Sequence, residues 1–324
     1  MKSKVLPVSV IAMLVCSMFS GCAMLDSFTG TTTTDSNPVN QLGPYSGLKH
    51  AVGVTDFKNQ GGWAAQWKLG NNLSIMLEAA LGATERFVMV EREALKDVIA
   101  EQDLAGSARV AAAQKVAKTG LIRPARYLAT GAVTGVEEDQ AGTGGGVNIK
   151  GFRIGGSKGK AKVTVIVKLI DTTTGEIAAQ QSITGVAGKA ALNVGLTKGG
   201  FSGDLGGFAK TPLAEAAQDC MNQAAVFIAK KMENMPFEGA VVKASGNTVI
   251  INRGEEFGVT VGKELTMKTL GELLTDPDTG AILGREDGEE IGKLKITKVA
   301  PKMSYCTVTS GEKTPKAGTP VYEN

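Results

Sequence analysis

The chain has 324 residues, of which 43% are hydrophobic, and this length allows about two domains with sizeable cores. Lys and Arg (35) exceed Asp and Glu (32) by only three charges, which excludes the concentrated basic charge typical of a nucleic-acid-binding protein. The chain has one histidine, His50, and four cysteines. These are too few to favour His-based zinc sites or Ser-His-Asp and Cys-His catalysis. We therefore expect no enzyme, no metal site and no nucleic-acid partner.

The N-terminus has the pattern of a secretory signal peptide over residues 1–21, with two lysines before an apolar run from Val5 to Phe19. This run is too short for an ordinary membrane-spanning helix. The series Phe-Ser-Gly-Cys that ends at Cys22 resembles a bacterial lipobox. The resemblance implies an outer-membrane lipoprotein whose first mature residue, Cys22, carries covalent lipid such as palmitate, and no other cofactor is expected. The alternative is a signal peptide in which Cys22 is incidental.

Residues 22–48 follow the predicted signal peptide. They are rich in Thr, Ser, Gly and Pro, which is typical of a flexible tether. Residues 49–236 then alternate strand-like and helix-like patterns, which indicates an α/β arrangement. Strands are predicted at Ala51–Phe57, Phe87–Glu91 and Tyr127–Val136. Helices are predicted from the apolar spacing of Leu73, Met76, Leu77, Ala80 and Leu81, from that of Leu95, Val98 and Ile99, over Ser107–Lys118, and over Thr211–Met232, where Thr211 is a capping residue and Pro212 suits the first turn.

The middle of this region, residues 131–210, holds 19 of the 42 glycines. A long strand is predicted at Lys162–Ile170, and a turn follows it at Asp171–Gly175. Glycine-bounded segments on either side, Val147–Gly155 and Ala190–Thr197, predict two β-hairpins at about residues 132–160 and 184–210. The membrane-facing candidates within them are Val147, Ile149, Phe152, Ile154, Leu192, Val194, Leu196 and Phe201.

Arms of about 8–11 residues would be long enough for tilted membrane-spanning strands. Two flexible soluble hairpins or loops are the alternative. A single protomer could not span a membrane with two hairpins, because the edges of its strands would lack hydrogen-bond partners, whereas a closed multi-chain barrel could.

Residues 237–324 contain short β-rich runs separated by Gly, Asp and Pro turns, which indicates a small all-β domain. The stretch Asp276–Gly280 favours a turn over a calcium site, because it lacks the length and the distal glutamate of an EF-hand loop. Cys220 and Cys306 are predicted to be small buried residues and not a disulfide pair.

Several short motifs, taken in order, resemble the curli secretion channel family, CsgG. They are Gly53–Phe57, Met76–Leu81, Arg86–Arg92, Glu101–Gln102, Gly131–Gly135 and Asp171–Glu176. The resemblance implies an outer-membrane lipoprotein with an α+β or α/β periplasmic domain in a homo-oligomeric, nonamer-like ring. It also implies that each protomer contributes two β-hairpins to one transmembrane β-barrel.

In that family, the loop between the first strand and the following helix lines the narrowest point of the pore. The matching stretch here is Asn59–Gly70, and its aromatic and amide residues are Asn59, Gln60, Trp63, Gln66 and Trp67. The resemblance implies that these residues form the pore constriction. The alternative is that Trp63 and Trp67, four residues apart, begin the helix and pack on the core.

The C-terminal region has a resemblance of its own. Its Asn252–Gly254, Gly258–Val259, Val261–Gly262, Asp276–Gly280 and Gly284 are similar to the C-terminal domain of the flagellar assembly protein FlgT. This implies an adaptor for periplasmic accessory or envelope proteins.

The two resemblances lead to two hypotheses of function. The first is a secretion channel that is lipid-anchored in the outer membrane with its bulk in the periplasm, and that passes unfolded secreted polypeptide by diffusion without ATP, as in curli export. The second is a non-pore structural or adaptor lipoprotein of an envelope assembly, like a flagellar ring protein or an activator of a cell-wall synthase.

Overall fold

The computed structural model describes residues 37–61, 68–107, 119, 121–138, 147–149, 152–154, 161–187, 211–280, 282–312 and 314–323. All of them belong to one compact unit, residues 35–324. The predicted signal peptide, Cys22, the predicted tether up to residue 36 and most of the predicted helix Ser107–Lys118 lie outside the described residues. The last part of the predicted tether, residues 37–48, is not a tether in the structure, because it contains a short helix, Pro38–Leu42, and the buried Leu48.

The first part of the unit is a mixed β-sheet with helices. In chain order its elements are α1 (Pro38–Leu42), β1 (His50–Val54), β2 (Lys58–Asn59), α2 (Leu69–Ala83), β3 (Phe87–Met89), α3 (Leu95–Ala105), β4 (Tyr127–Glu138), β5 (Val147–Ile149), β6 (Phe152–Ile154), β7 (Ala161–Asp171), β8 (Ile177–Val186) and α4 (Pro212–Met232). The strand order of the sheet is β3-β1-β4-β7-β8, and β2 also pairs with β4. The predicted strands at Phe87–Glu91 and Tyr127–Val136 are confirmed as β3 and β4, and so are the helices at α2, α3 and α4. The first predicted strand, Ala51–Phe57, is confirmed only as far as Val54, where β1 ends.

The first predicted strand, Ala51–Phe57, is interrupted in the structure. Strand β1 pairs in parallel with the start of β4, and β2 pairs in parallel with a later part of β4. Residues 55–57 therefore bridge two short strands that lie one after the other along the same neighbour, β4. Phe57 in this bridge is buried against the sheet, and its ring occupies the space beside Gly131, where an ideal Cβ would lie 2.5 Å from a ring carbon. The bridge therefore brings an aromatic ring into the core.

The core lies between one face of this sheet and helices α2 and α4. Along β7, alternate residues from Val163 to Leu169 are fully buried, which matches the predicted two-residue periodicity. The apolar spacing of α2 is confirmed in the same way, because Leu73, Leu77 and Leu81 are fully buried. Strand periodicity on one side and helical periodicity on the other thus produce a two-layer packing.

Helix α4 begins as its sequence predicts. Thr211 has extended backbone angles, its Oγ1 accepts a hydrogen bond of 3.1 Å from the Ala214 amide, and Pro212 follows in the first turn. The helix ends with Lys230 and Lys231 in the last turn, where positive charge interacts favourably with the helix dipole. Both ends of this 21-residue helix are therefore stabilised by local chemistry.

Removing the cap at Thr211 has a measurable expected cost. We expect Thr211→Ala to lower the free energy of unfolding by about 1 kcal/mol, because the Ala214 amide loses its acceptor. Thr211→Ser keeps the hydroxyl and is expected to be nearly neutral. Urea unfolding followed by the helical circular-dichroism signal measures both variants, and equal losses for alanine and serine would contradict the capping role.

Helix α3 has the predicted spacing but not a buried face. None of its residues is buried, and Val98, Ile99 and Leu104 are exposed. The periodicity of Leu95, Val98 and Ile99 therefore predicts the helix correctly, whereas burial depends on a neighbour that the described residues do not supply.

The C-terminal part is a closed barrel in which the strand order is β10-β15-β14-β11-β16-β9. Its elements are β9 (Glu238–Ser245), β10 (Thr248–Ile251), a 3₁₀ helix (Glu255–Phe257), β11 (Glu264–Lys268), β14 (Glu290–Val299), β15 (Ser304–Gly311) and β16 (Pro320–Glu323), and a separate hairpin of β12 (Leu273–Thr275) and β13 (Ile282–Arg285) lies between β11 and β14. The barrel core also takes in Leu48 and Ala51 from the first part of the unit. The two parts thus share apolar contacts.

Two local predictions about single motifs are confirmed. Asp276 forms a turn, because its Oδ1 accepts hydrogen bonds from the amides of Asp278 (2.8 Å) and Thr279 (3.0 Å). Cys220 and Cys306 are free and buried, and burial raises the pKa of each thiol to about 12. Within the described part of the chain, no helix combines the length and the apolar character needed to cross a membrane.

Candidate functional site

Both glycine-rich segments leave the sheet at the same end. Antiparallel pairing of β4 with β7 continues to Glu138 opposite Ala161, and pairing of β7 with β8 continues to Lys162 opposite Val186. Neighbouring strands lie about 4.8 Å apart. The starting points of the segments 139–160 and 188–210 are therefore set by three adjacent strands.

This pairing also refines the predicted hairpin boundaries. Residues 132–138 and 184–186 lie within the predicted hairpins, but in the structure they belong to β4 and β8 of the main sheet. The remaining segments are 22 and 23 residues long. The candidates Leu192, Val194, Leu196 and Phe201 lie outside the described residues.

The first segment contains its own strand pairing. Strands β5 and β6 are antiparallel, with Val147 opposite Ile154 and Ile149 opposite Phe152. The predicted single arm Val147–Gly155 is thus two short strands, and the two residues between them, Lys-Gly, are a sequence that suits a tight hairpin turn. The four apolar candidates occupy alternate rungs of this small ladder, and the polar pair of Asn148 and Arg153 occupies the rung between.

The predicted constriction loop starts at the end of β2, beside β4, in the half of the sheet from which the two segments leave. Asn59 pairs with Val133, and the Gln60 amide donates a 3.0 Å hydrogen bond to the Val133 carbonyl. An ideal Cβ on Gly61 would lie 3.3 Å from the backbone of Thr134, so the chain is still beside β4 at that residue. Because β2 and β4 are parallel, the described start of the loop, residues 59–61, runs toward the end of the sheet where the two segments begin.

The structure describes only part of this loop. Asn59 and Gln60 are exposed, whereas Trp63, Gln66 and Trp67 lie outside the described residues. The loop ends earlier than Gly70, because helix α2 begins at Leu69, whose side chain is buried in the core. The role of the five residues in a constriction stays a prediction.

The described surface at this end is polar. The last cross-strand positions carry an exposed ion pair between Lys162 Nζ and Glu137 Oε2 at 3.3 Å, and the hydroxyls of Thr164 and Thr184 are 2.9 Å apart on adjacent strands. Glu137 is not among the predicted site residues, although opposite charges near the ends of neighbouring strands are a usable signal. No group of three or more potential metal ligands occurs in the described ranges.

The described strands thus bring the starts of two long glycine-rich segments and of one loop to a single end of an α/β sheet. A sequence profile of the family described as curli production assembly/transport component CsgG matches residues 38–249, about two thirds of the chain. The chain belongs to this CsgG family. The match ends inside β10, so the resemblance of the C-terminal region to FlgT stays a prediction.

Three solved structures that are similar to parts of this chain have the following identities, coverages and TM-scores. A hypothetical protein, CT253, from Chlamydia trachomatis is 13% identical, covers 57% of this chain and 96% of its own, and has a TM-score of 0.33. A PelC dodecamer from Paraburkholderia phytofirmans is 17% identical, with 57% and 91% covered and a TM-score of 0.28. Protein XCC0632 from Xanthomonas campestris is 10% identical, with 59% and 86% covered and a TM-score of 0.28. A search of curated proteins gave no match.

Proposed function

We propose that this protein is a lipid-anchored outer-membrane component that forms an oligomeric ring channel for the secretion of unfolded polypeptide. The observation that carries the proposal is the common origin of the two glycine-rich segments and the candidate constriction loop at one end of the sheet. Membership of a family described as an assembly/transport component supports the same function. Diffusion through such a ring needs no catalytic residues and no ATP.

The lengths of the two segments suit a membrane barrel built by several chains. A transmembrane strand needs about 9–11 residues, so segments of 22 and 23 residues each have room for two strands and a turn. Strand edges cannot stay unpaired in lipid, so the hairpins of neighbouring protomers must close one shared barrel. Four strands from each of about nine protomers would give the size of the largest barrels known, about 36 strands.

The constriction loop would then form the entrance to this barrel. A ring of Asn59, Gln60, Trp63, Gln66 and Trp67 from each protomer would surround the axis with aromatic and amide groups. Such groups contact an extended polypeptide through stacking and hydrogen bonds without requiring one sequence. The covalent lipid on Cys22 would hold each protomer at the membrane surface, and the part of the predicted tether that precedes α1 would connect it to the folded unit.

Single-channel conductance of the full-length, lipidated protein in planar bilayers tests the proposal. In the test variant an Asn-Gly turn replaces residues 139–160, because β4 and β7 are antiparallel neighbours that a two-residue turn can join. A short Gly/Ser linker replaces residues 188–210. We expect large, stable conductance for the wild type and complete loss in the variant, with the ring still visible by electron microscopy.

A control variant shortens the exposed turn at residues 276–280 of the β12–β13 hairpin and is expected to conduct like the wild type. An assembled wild-type ring without conductance would disprove the channel. The adaptor hypothesis would then take its place, and the observation that favours it is the β12–β13 hairpin, where Leu273, Leu274, Ile282 and Leu283 are exposed.

A further inference from the structure

A cleft of about 460 Å³ lies between the sheet and the C-terminal barrel. One wall is formed by the start of β1, the residues just before β4 and the turn after β7, and the other by the start of β9 and the loop between β10 and the 3₁₀ helix. Strand β4 has 12 residues, so the cleft lies about 37 Å along the sheet from the end where the two glycine-rich segments begin. It is therefore separate from the proposed channel entrance.

Arg253 is held in this cleft by aromatic rings. Its guanidinium lies 4.8 Å from the ring centre of Phe257 and 6.0 Å from that of Phe237, and Nη1 donates a 3.1 Å hydrogen bond to its neighbour's carbonyl, that of Asn252. Stacking on aromatic faces orients the planar fork of an arginine. The guanidinium is thus positioned before any ligand binds.

The charges of the cleft leave Arg253 without a close acidic partner. Arg123 pairs with Glu256 at 2.7 Å, and Arg126 pairs with Asp171 at 3.0 Å. Neither Lys49 nor Arg253 forms an ion pair with a described residue. Glu238 is the only acidic residue that lines the cleft in the described part of the chain. Its one negative charge balances only one of the two positive charges of Lys49 and Arg253, so one positive charge is uncompensated.

The surroundings of Arg253 disfavour the positive charge of its guanidinium. Burial lowers the pKa of the Arg253 guanidinium; Glu238 partly offsets that effect, and the positive charge of Arg123 adds to it. His50, also in the cleft, contributes no charge near pH 7, because burial lowers the pKa of its imidazole. A single negative group bound beside Arg253 would compensate its charge and use the N–H donors that point away from Asn252.

We infer that this cleft binds the carboxylate of a ligand with an apolar body, such as the C-terminal residue of a partner polypeptide. The planar guanidinium of Arg253 matches a carboxylate in two parallel hydrogen bonds. The exposed rings of Pro124 and Pro236 provide apolar walls for the ligand's side chain, whereas the buried rings of Phe237 and Phe257 hold the guanidinium of Arg253. The volume lies in the range of small-ligand sites, about 300–1,000 Å³.

Ligand-observed NMR titration of the full-length protein in detergent tests the inference with two matched probes, N-acetyl-leucine and N-acetyl-leucinamide. The two differ only in the terminal group, which is a negatively charged carboxylate in the acid and an uncharged primary amide in the other probe. We expect saturable binding of the acid and binding of the amide that is about 10- to 100-fold weaker, because hydrogen bonds to charged groups are worth about 1.5–3 kcal/mol. Inorganic phosphate serves as a competing anion.

Variants assign the binding to Arg253. Arg253→Gln is expected to weaken binding of the acid by about 10- to 100-fold, and Arg253→Lys, which keeps the charge and loses the fork, by about tenfold. Arg285→Gln is the matched control, because Arg285 is an exposed arginine of β13 that donates to the Gly271 carbonyl. Circular dichroism checks that each variant is folded. If Arg253→Gln does not fold, Arg253→Lys still tests the role of Arg253 in binding.

Three outcomes would overturn the inference. The first is equal binding of the acid and the amide, or no saturable binding of the acid. The second is an effect of Arg285→Gln as large as that of Arg253→Lys. The third is displacement of N-acetyl-leucine by phosphate at a concentration below that of N-acetyl-leucine itself. Because conductance is measured separately, failure here leaves the proposed channel unaffected.

Discussion

Replacing Gly185 with alanine is expected to lower the free energy of unfolding by about 3 kcal/mol, at the upper end of the usual cost of overpacking. Gly185 lies in β8 where helix α4 crosses it, and an ideal Cβ there would overlap backbone atoms of Ala216 and Cys220 and lie 2.7 Å from the Cys220 Cβ. The obstacle is helix backbone, which cannot rotate away as a side chain can. The whole helix must therefore shift from the sheet.

The shift would also strain the hydrogen bonds that join β8 to α4. The Val186 amide donates to Asp219 Oδ2 at 2.9 Å, and the buried Asp219 carboxylate also accepts from Gln223 Nε2 at 3.0 Å. Loss of the first of these bonds would leave a buried polar group without a partner, which adds to the cost. The expected destabilisation therefore has two sources, steric overlap and lost hydrogen bonding.

Urea unfolding followed by the helical circular-dichroism signal measures this effect. The matched control is Gly82→Ala in α2, where the nearest atom to an ideal Cβ is Met89 Cγ at 4.0 Å. That variant is expected to be stabilising by about 0.5–1 kcal/mol, because alanine favours the helix. Similar midpoints for Gly185→Ala and the wild type would show that α4 does not pack on β8 as described.

Replacing Arg86 with methionine is expected to lower the free energy of unfolding by about 2–3 kcal/mol. Arg86 is 5% exposed; its Nη1 pairs with Glu233, and its Nη2 donates to the carbonyls of Leu42 (2.7 Å) and Gly43 (3.3 Å). Its guanidinium also lies 4.7 Å from the ring centre of Tyr45. One side chain thus connects the residues after α1 to the end of α4.

The cost is smaller than the 3–5 kcal/mol typical of breaking a fully buried pair, because Glu233 is 42% exposed and water can solvate its carboxylate. The control is Lys162→Met, which removes the exposed pair with Glu137 and is expected to cost less than about 1 kcal/mol. Hydrogen exchange adds a local readout, since the amides of residues 39–43 and of Tyr45 should exchange faster in Arg86→Met. An equal loss of stability in the two variants would refute a special role for Arg86.

Local chemistry made much of the α/β part predictable. The cap, the proline and the apolar positions of α4 are contained in one short stretch, and the alternation of β7 is visible within nine residues. The break between β1 and β2 was not predictable, because it depends on how Phe57 packs beside Gly131. The burial of Arg86 likewise depends on Glu233, which is 147 residues away.

The same distinction applies to the candidate site. Glycine content and strand alternation indicated two excursions, but the finding that they leave from one end required the register of β4, β7 and β8. The cleft around Arg253 was not predicted, since its arginines come from positions 123, 126 and 253 and no sequence pattern connects them. Glycine content and strand alternation thus identified the two segments, whereas the pairing of distant strands was needed to show that they start at the same end of the sheet.

The common origin of the two segments has a further consequence for how such a protein could evolve. In the chain, the first segment joins β4 to β7 and the second joins β8 to α4. Residues can be added to or removed from both without altering the register of the sheet or the packing of α4. Under the proposed function, selection could match the height of the membrane wall to bilayers of different thickness while the periplasmic ring stays unchanged.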